Sequence, residues 1–125
     1  MDHYEGRIEF DIVARDDDAV TAVMPVTQGI LNPFGTVHAG AMLWFADVTA
    51  TTLALEGRAL APGMSGFPLA VSLGAHLLGN QQDGELTAVA RYVKRGRTLS
   101  VVRTVVSGAD GRLLADVTTS HVMSR

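Results

Sequence analysis

The chain has 125 residues, 47% hydrophobic and 18% charged, which is the composition of an ordinary globular domain. Its net charge of −3 argues against a nucleic-acid-binding surface, and the absence of cysteine excludes disulfides, thiolate nucleophiles and cysteine ligands for zinc. We expect one domain over residues 1–125 in the cytoplasm, because the polar N-terminus has no signal peptide. The apolar composition also predicts association with further copies of the chain.

The first third of the chain predicts two strands and a loop. Residues 7–14 alternate between apolar and charged side chains, which is typical of a half-buried strand. Residues 19–24 form a second predicted strand that ends at Pro25. Residues 27–37 contain the Gln-Gly, Asn-Pro and Phe-Gly-Thr sequences of a loop.

A helix is predicted from His38 or Ala39 to Leu55, with Gly57 as the residue that closes it. The segment is apolar nearly all round, so we expect other elements to enclose it on most sides. It is shorter than the about 20 residues that span a bilayer, and it contains Asp47, so no membrane partner is expected.

The remaining residues predict four strands, at 69–78, 85–93, 98–107 and 112–123, joined by short turns. We interpret them as a meander of hairpins. One helix with a single antiparallel sheet of about six strands is an α+β architecture. Consecutive hairpins exclude the parallel sheet of a Rossmann-like fold.

Asp47 is the only ionisable residue in the apolar run from Gly40 to Leu55. Burial of a carboxylate costs several kcal/mol unless it is paired or hydrogen-bonded. No charged residue lies close to it along the chain. A chemical role is the leading interpretation, and burial through a network of neighbouring threonines is the alternative.

The loop and the helix together carry a family resemblance. Residues 32–40 read NPFGTVHAG, and Asp47 follows His38 by nine positions. This pattern resembles that of the hotdog-fold acyl-CoA thioesterases, in particular the branch with phenylacetyl-CoA thioesterase and the human mitochondrial-associated acyl-CoA thioesterases. The strand around Ser72 and the basic turn at residues 94–98 resemble the same family more weakly.

The resemblance implies a helix wrapped by a curved sheet, in homodimers that are commonly doubled to homotetramers. It further implies a hydrolase that cleaves acyl-CoA to a free acid and CoA, at a site shared between two subunits. The N–H of Ala39 and the amide of Asn32 would polarise the thioester carbonyl. Asp47 would act as general base or as nucleophile, and Thr51 or Ser72 would orient the water.

Ala39 departs from the family pattern, in which His is followed by two glycines. Alanine retains the backbone N–H and is acceptable there if its φ is negative. His38 and Asn32 are candidate catalytic residues; the alternatives are a helix-capping or packing role for His38 and the start of a turn for Asn32. Arg95 and Arg97 are candidates to bind CoA phosphates, with a solvated strand end as the alternative.

Three classes of function remain open from the sequence. Hydrolysis of aryl- or medium- to long-chain acyl-CoA is the first, with no cofactor beyond the CoA of the substrate and no metal. A hydratase or dehydratase that acts on acyl thioesters is the second, and a non-catalytic acyl-CoA-binding module is the third.

His76 and His121 are interpreted as core or surface residues, since no carboxylates accompany them. Trp44, Phe45 and Phe67 suit either an acyl pocket or the core.

The helix geometry adds a constraint on the site. Asp47 lies ~13 Å along the helix axis from His38, at 1.5 Å per residue. One chain therefore does not bring both residues to the same substrate. If Asp47 is catalytic, we expect its partners to come from a neighbouring chain.

Overall fold

In the part of the chain that the computed structural model describes, residues 2–59 and 61–124, one α-helix lies against a six-stranded antiparallel sheet. The helix α1 spans Ala39–Ala54 and follows a short 3-10 turn at Gln28–Ile30. This architecture confirms the predicted α+β class. The strands are β1 (Asp11–Arg15), β2 (Ala19–Pro25), β3 (Pro68–Leu77), β4 (Glu85–Lys94), β5 (Leu99–Ser107) and β6 (Leu113–Met123).

The order of the strands in the sheet is β1-β2-β4-β5-β6-β3. The predicted four-strand meander is therefore wrong for β3, which pairs with β6 at the edge of the sheet. The connection after β3 does not close a hairpin with β4. It crosses the end of the sheet, where Leu78 N–H donates to Leu114 O at 2.8 Å and Ala109 N–H donates to Gln81 Oε1 at 3.2 Å. A short polar connection has the same composition in both arrangements, so the sequence pattern did not distinguish them.

The helix packs on the inner face of the sheet, which we define as the face directed towards α1. The inward residues of β4 are Leu86, Ala88 and Ala90, all with no exposed surface, as the alternating pattern predicts. Small alanine side chains at the centre of the sheet let the helix come close. Phe45 fills the remaining space and is also completely buried.

The ends of the helix agree with the predicted ends to within a residue. His38 is the N-cap and Leu55 the C-cap. Glu56 and the predicted closing residue Gly57 both take the left-handed conformation, with φ of 54° and 78°, so the left-handed turn begins one residue earlier than predicted. No helix in the described part of the chain has the length and apolar character that a membrane crossing requires.

The N-terminal segment differs from its prediction. β1 begins at Asp11, whereas we expected a strand over residues 7–14. The segment before it, residues 2–10, is a strap without regular secondary structure, whose Ile8 and Phe10 pack on the core. The alternating pattern was right about which side chains face the core, since Ile8 and Phe10 are partly buried there. It was wrong about the backbone, because the strap leaves the sheet to pass the start of the helix.

β3 is an edge strand with an apolar surface. It is ten residues long and, within the described chain, pairs on one side only, with β6. Leu69, Val71 and Leu77 on this strand are 49%, 62% and 48% exposed. Long apolar edge strands are sites of association with another chain.

Candidate active site

The loop before α1 is held by its own side chains. Asn32 Oδ1 accepts hydrogen bonds from the N–H groups of Phe34 at 2.9 Å and Thr36 at 3.2 Å. Asn32 Nδ2 donates to Thr36 Oγ1 at 2.8 Å. Such contacts are expected if Asn32 starts a turn, which was the alternative interpretation of this residue. Because an amide nitrogen carries two hydrogens, one of them is left for an acceptor outside the loop.

The start of α1 presents a free backbone donor. His38 is exposed, and its side chain makes no capping hydrogen bond to the described residues. Ala39 is the first helical residue, so its N–H has no acceptor within the helix. Among the non-glycine residues of the described chain, only Glu56 has a positive φ. The φ of Ala39 is therefore negative, which is the condition under which alanine can replace glycine there. The positive end of the helix dipole adds to the attraction of this N–H for an oxyanion.

A cavity of about 510 Å³ opens beside this helix start. Its walls include His38, Gly40 and Trp44 from the helix region and the strap at residues 4–8. The strap is fixed by a hydrogen bond from Arg7 N–H to Gly29 O at 3.1 Å. Gly29 is required there, because a Cβ on it would lie 2.5 Å from Arg7 O.

Asp47 lies in the middle of the helix, at a separate cavity of about 380 Å³ that is lined also by Thr51, Phe67 and Ala70. Its Oδ1 atom is buried and has no hydrogen-bond partner among the described residues. Thr104 Oγ1 is the other such atom in the described part of the chain, and it is a neutral hydroxyl. The threonine network that was the structural alternative for Asp47 is therefore not formed.

The helix threonines behave differently from one another. Thr49 Oγ1 donates to Phe45 O at 2.6 Å, and Thr52 Oγ1 donates to Val48 O at 2.8 Å. No hydrogen bond joins the Thr51 hydroxyl to the described residues, and Thr51 lines the Asp47 cavity. Its hydroxyl is thus available to hydrogen-bond a molecule in that cavity.

Ser72, the alternative to Thr51 for orienting the water, does not line the Asp47 cavity of the described chain. A bulge between Ala70 and Ser72 pairs Ser72 with Ser120 on β6. Directly opposed residues share a face, and His121, the next residue along β6, is buried on the inner face. Ser72 therefore lies on the outer face, away from the helix. The bulge reverses the alternation, and the sequence carried no signal for it.

The two parts of the predicted site lie on different cavities. His38 and Gly40 line the first cavity, and Asp47 and Thr51 line the second. This is the arrangement expected from the helix geometry. The described chain has a helix start with free N–H donors and, separately, a carboxylate with an unpartnered oxygen.

Arg95 is engaged at the C-terminus of the helix. Its Nε donates to Glu56 Oε1 at 2.8 Å, and its guanidinium lies 5.1 Å from the centroid of the Tyr92 ring. Tyr92 Oη in turn donates to Leu53 O at 3.0 Å. The hydrogen bond from Arg95 holds the pKa of Glu56 below its usual range, and burial raises the pKa of Tyr92 to about 12. Arg95 is thus bound to the C-terminal end of the helix through Glu56, whereas Arg97 is exposed in the next turn.

The ion pair between Arg95 and Glu56 predicts that the free energy of unfolding falls in acid. Since the folded-state pKa of Glu56 is lowered, its contribution is present above the ordinary value of 4.5 and is lost as the pH falls through the lowered value. We expect Arg95→Gln to lower the Tm by a few degrees between about pH 6 and 8, since exposed ion pairs are weak. The difference from the wild type should shrink below the ordinary Glu value. Thermal unfolding of both proteins across this pH range measures it, and an undiminished difference in acid would contradict the assignment.

The strand histidines have structural surroundings. His121 is fully buried, with Nε2 2.7 Å from Thr119 Oγ1 and Nδ1 3.2 Å from Pro68 O. His76 is exposed on β3 and pairs in register with Asp116. His121 is therefore a core residue and His76 a surface residue, as the sequence predicted. Within residues 2–59 and 61–124, no cluster of three or more potential metal ligands occurs.

Two residues outside the predicted set bind the backbone near the site. Asn80, after β3, hydrogen-bonds Val37 through both atoms of its carboxamide. Arg58 donates to Leu55 O at 2.8 Å and to Gly66 O at 2.7 Å, and so joins the helix end to the following loop. Neither contact was predictable from the sequence, because an isolated polar residue in a connection carries no pattern that indicates its hydrogen-bond partner.

We compared the chain with known proteins in sequence and in structure. No protein-family model matches the chain. In sequence, the chain is 35% identical over 100 residues to the Pseudomonas aeruginosa protein PA1618, which is named as an esterase. The match covers 79% of this chain and 66% of PA1618, just under two thirds of that protein's length.

Solved structures share the fold over almost the whole chain. A variant of the thioesterase PA1618 is 28% identical with a TM-score of 0.81, and the match covers 94% of this chain and 81% of that one. The Staphylococcus aureus thioesterase SAV0944 is 22% identical with a TM-score of 0.84, covering 93% of both chains. A Streptococcus pneumoniae protein, described as a hypothetical thioesterase and solved with coenzyme A, is 19% identical with a TM-score of 0.81, covering 93% and 86%.

One helix packed against a six-stranded antiparallel sheet is the architecture of the hotdog class of proteins. Within that class, the chain is similar to the thioesterases PA1618 and SAV0944 in fold, and to PA1618 also in sequence. The family resemblance inferred from Asn32, His38 and Asp47 is thereby confirmed. The roles of these residues stay predictions.

Proposed function

We propose that the protein hydrolyses acyl-CoA thioesters to a free acid and CoA. The observation that carries the proposal is Asp47, whose Oδ1 is buried at a cavity without a hydrogen-bond partner. A chain that keeps a carboxylate in so unfavourable a place gains little stability from it. Such an oxygen is suited to accept a proton from a water molecule or to attack a carbonyl carbon.

The reaction needs a donor for the oxygen that becomes negative, and the Ala39 N–H supplies it. In the general-base route, water attacks the thioester carbonyl as Asp47 takes its proton, while the Ala39 N–H stabilises the oxyanion. Collapse of the intermediate breaks the C–S bond and releases the CoA thiolate, which regains the proton. In the nucleophilic route, Asp47 attacks the thioester carbonyl carbon, the C–S bond breaks and the CoA thiolate leaves, which gives an anhydride; water then cleaves the anhydride to the free acid and restores the Asp47 carboxylate. One remaining hydrogen of Asn32 Nδ2 and the hydroxyl of Thr51 assist at the carbonyl and at the water.

The functional unit is proposed to be a homodimer formed through the β3 edges. Leu69, Val71 and Leu77 would be covered there, and two sheets would join into one. The dimer brings the helix start of one subunit towards Asp47 of the other, which one chain does not do. Pairing of two dimers into a homotetramer follows the family pattern, and light scattering distinguishes the two states.

The CoA of the substrate is the proposed partner, with no additional cofactor or metal. Arg97 is the better candidate for its phosphates, since Arg95 is already bound to Glu56. Two structural neighbours support CoA chemistry on this fold: the Streptococcus pneumoniae protein was solved with coenzyme A, and one from Streptococcus mutans with acetyl-CoA. Treatment with a chelator should leave the rate unchanged.

A panel of acyl-CoA substrates with detection of free thiol tests the proposal. The panel should include aryl-acyl, medium-chain, long-chain and 2-enoyl-CoA compounds. Release of thiol from at least one saturated or aryl substrate is the expected result. Hydration of 2-enoyl-CoA without thiol release would instead support the hydratase alternative, and binding without either reaction would support a binding module.

A further inference from the structure

Asn80 joins the connection after β3 to the loop before α1. Its Oδ1 accepts the N–H of Val37 at 2.8 Å, and its Nδ2 donates to Val37 O at 2.9 Å. The carboxamide thus binds both backbone groups of one residue, as a neighbouring strand would. The same Oδ1 also accepts the N–H of Gln81 at 2.8 Å, which fixes the orientation of the amide.

These bonds act next to the proposed oxyanion donor. The peptide group between Val37 and His38 is held on both sides, since its C=O binds Asn80 and its N–H donates to Ile30 O at 2.9 Å. The following peptide group carries the N–H of Ala39. Only the two backbone angles of His38, a φ of −57° and a ψ of 137°, separate the fixed group from the donor.

We propose that Asn80 is a positioning residue that sets the direction of the Ala39 N–H through the backbone of Val37 and His38. This inference rests on the proposed function and extends it to a residue remote in sequence. Val37 is 1% exposed, so the loop is already packed, and its packing alone fixes position less sharply than the two hydrogen bonds fix orientation. A displacement of about 1 Å at a reacting centre costs up to 10²-fold in rate.

The test compares Asn80→Ala with Gln81→Ala. Gln81 lies in the same connection and also makes three hydrogen bonds, to Asp83 O, Glu85 O and the N–H of Ala109. None of its contacts reaches residues 37–39. We expect both variants to lose stability, and only Asn80→Ala to lose kcat, by about 10- to 100-fold with little change in KM.

A double-variant cycle separates positioning from a general weakening of the fold. In a chain that also carries Ala39→Pro, the N–H that Asn80 orients is absent. Asn80→Ala should then cause no further loss of kcat, whereas independent effects would multiply. If Asn80→Ala does not fold, Asn80→Asp replaces it, because it keeps the accepted bonds and loses the donated one; it should lose kcat to a smaller extent and show the same cycle.

Equal kcat for Asn80→Ala and Gln81→Ala, or multiplying effects in the cycle, would overturn the inference. Its failure is distinguishable from failure of the proposed function. If Asp47→Asn abolishes thiol release while Asn80→Ala keeps it, only the positioning role is wrong. If the wild type releases no thiol from any acyl-CoA, the function itself is wrong and the positioning role falls with it.

Discussion

Replacement of Asp47 by asparagine is expected to lower kcat by about 10²- to 10⁴-fold, the range that general acid–base groups contribute. Asparagine has nearly the same shape, so substrate binding and the helix remain as they are. The amide neither accepts the proton of the water nor forms an anhydride. Steady-state thiol release at saturating acyl-CoA measures the loss.

The same substitution is expected to leave the Tm unchanged or to raise it. Asp47 Oδ1 is buried without a partner, and an ionised oxygen in that position costs more than a neutral one. A loss of activity together with a gain in stability is typical of a group kept for chemistry. A structural carboxylate would show the reverse, with a lower Tm and an unchanged kcat.

Asp116→Asn is the matched control on the outer face. Arg103 donates to both oxygens of Asp116, at 2.9 Å from Nε and 2.6 Å from Nη2, and holds the pKa of Asp116 below its usual range. Here the carboxylate is paired, so its removal should lower the Tm and leave kcat near the wild-type value. Opposite outcomes for the two aspartates would assign chemistry to one and structure to the other. A fall in kcat for both would indicate a general loss of folded protein.

The sequence predicted those parts of the fold that depend on local periodicity. The inward set of β4 and the bounds of α1 follow from spacing within the segment itself. The position of β3 did not, because strand order depends on how the connection at residues 78–84 crosses the sheet. The strand predicted within residues 2–10 was wrong for a related reason. The alternating pattern reports which side chains, such as Ile8 and Phe10, face the core, but not which residues their backbone hydrogen-bonds.

The site divides in the same way. Asp47 was predictable because a charge inside an apolar helix is a local anomaly. Asn80 was not, since its partner Val37 lies 43 positions away in the chain. Arg95 carried a basic charge suited to phosphate, but its engagement depends on Glu56 at the far end of the helix. Residues whose role comes from a contact remote in sequence need the structure to reveal them.

Ala39→Pro is expected to lower kcat by about 10²- to 10³-fold, the usual effect of removing one oxyanion donor. Proline lacks the N–H and is well tolerated at the first position of a helix. His38, with φ −57° and ψ 137°, already has the backbone conformation that a following proline requires. The substitution therefore removes one hydrogen without disturbing the helix start. Circular dichroism and the Tm should match the wild type.

The combination of this variant with Asp47→Asn tests whether the site is shared between subunits. Heterodimers with Ala39→Pro on one chain and Asp47→Asn on the other, isolated through two different affinity tags, retain one intact site if Ala39 and Asp47 come from different chains. They should show about half the wild-type rate, because one of two symmetric sites survives. Each parent homodimer should be nearly inactive.

The reverse pairing supplies the control. A chain that carries both substitutions, joined to a wild-type chain, spoils both shared sites and should be nearly inactive. If each site lay within one subunit, the two results would be exchanged: the doubly substituted heterodimer would keep half the rate and the other would be inactive. The distance of ~12 Å along the helix from Ala39 to Asp47, at 1.5 Å per residue, favours the shared site. Dimerisation would then be a condition of catalysis, since an isolated chain holds a donor and a carboxylate too far apart to act on one thioester.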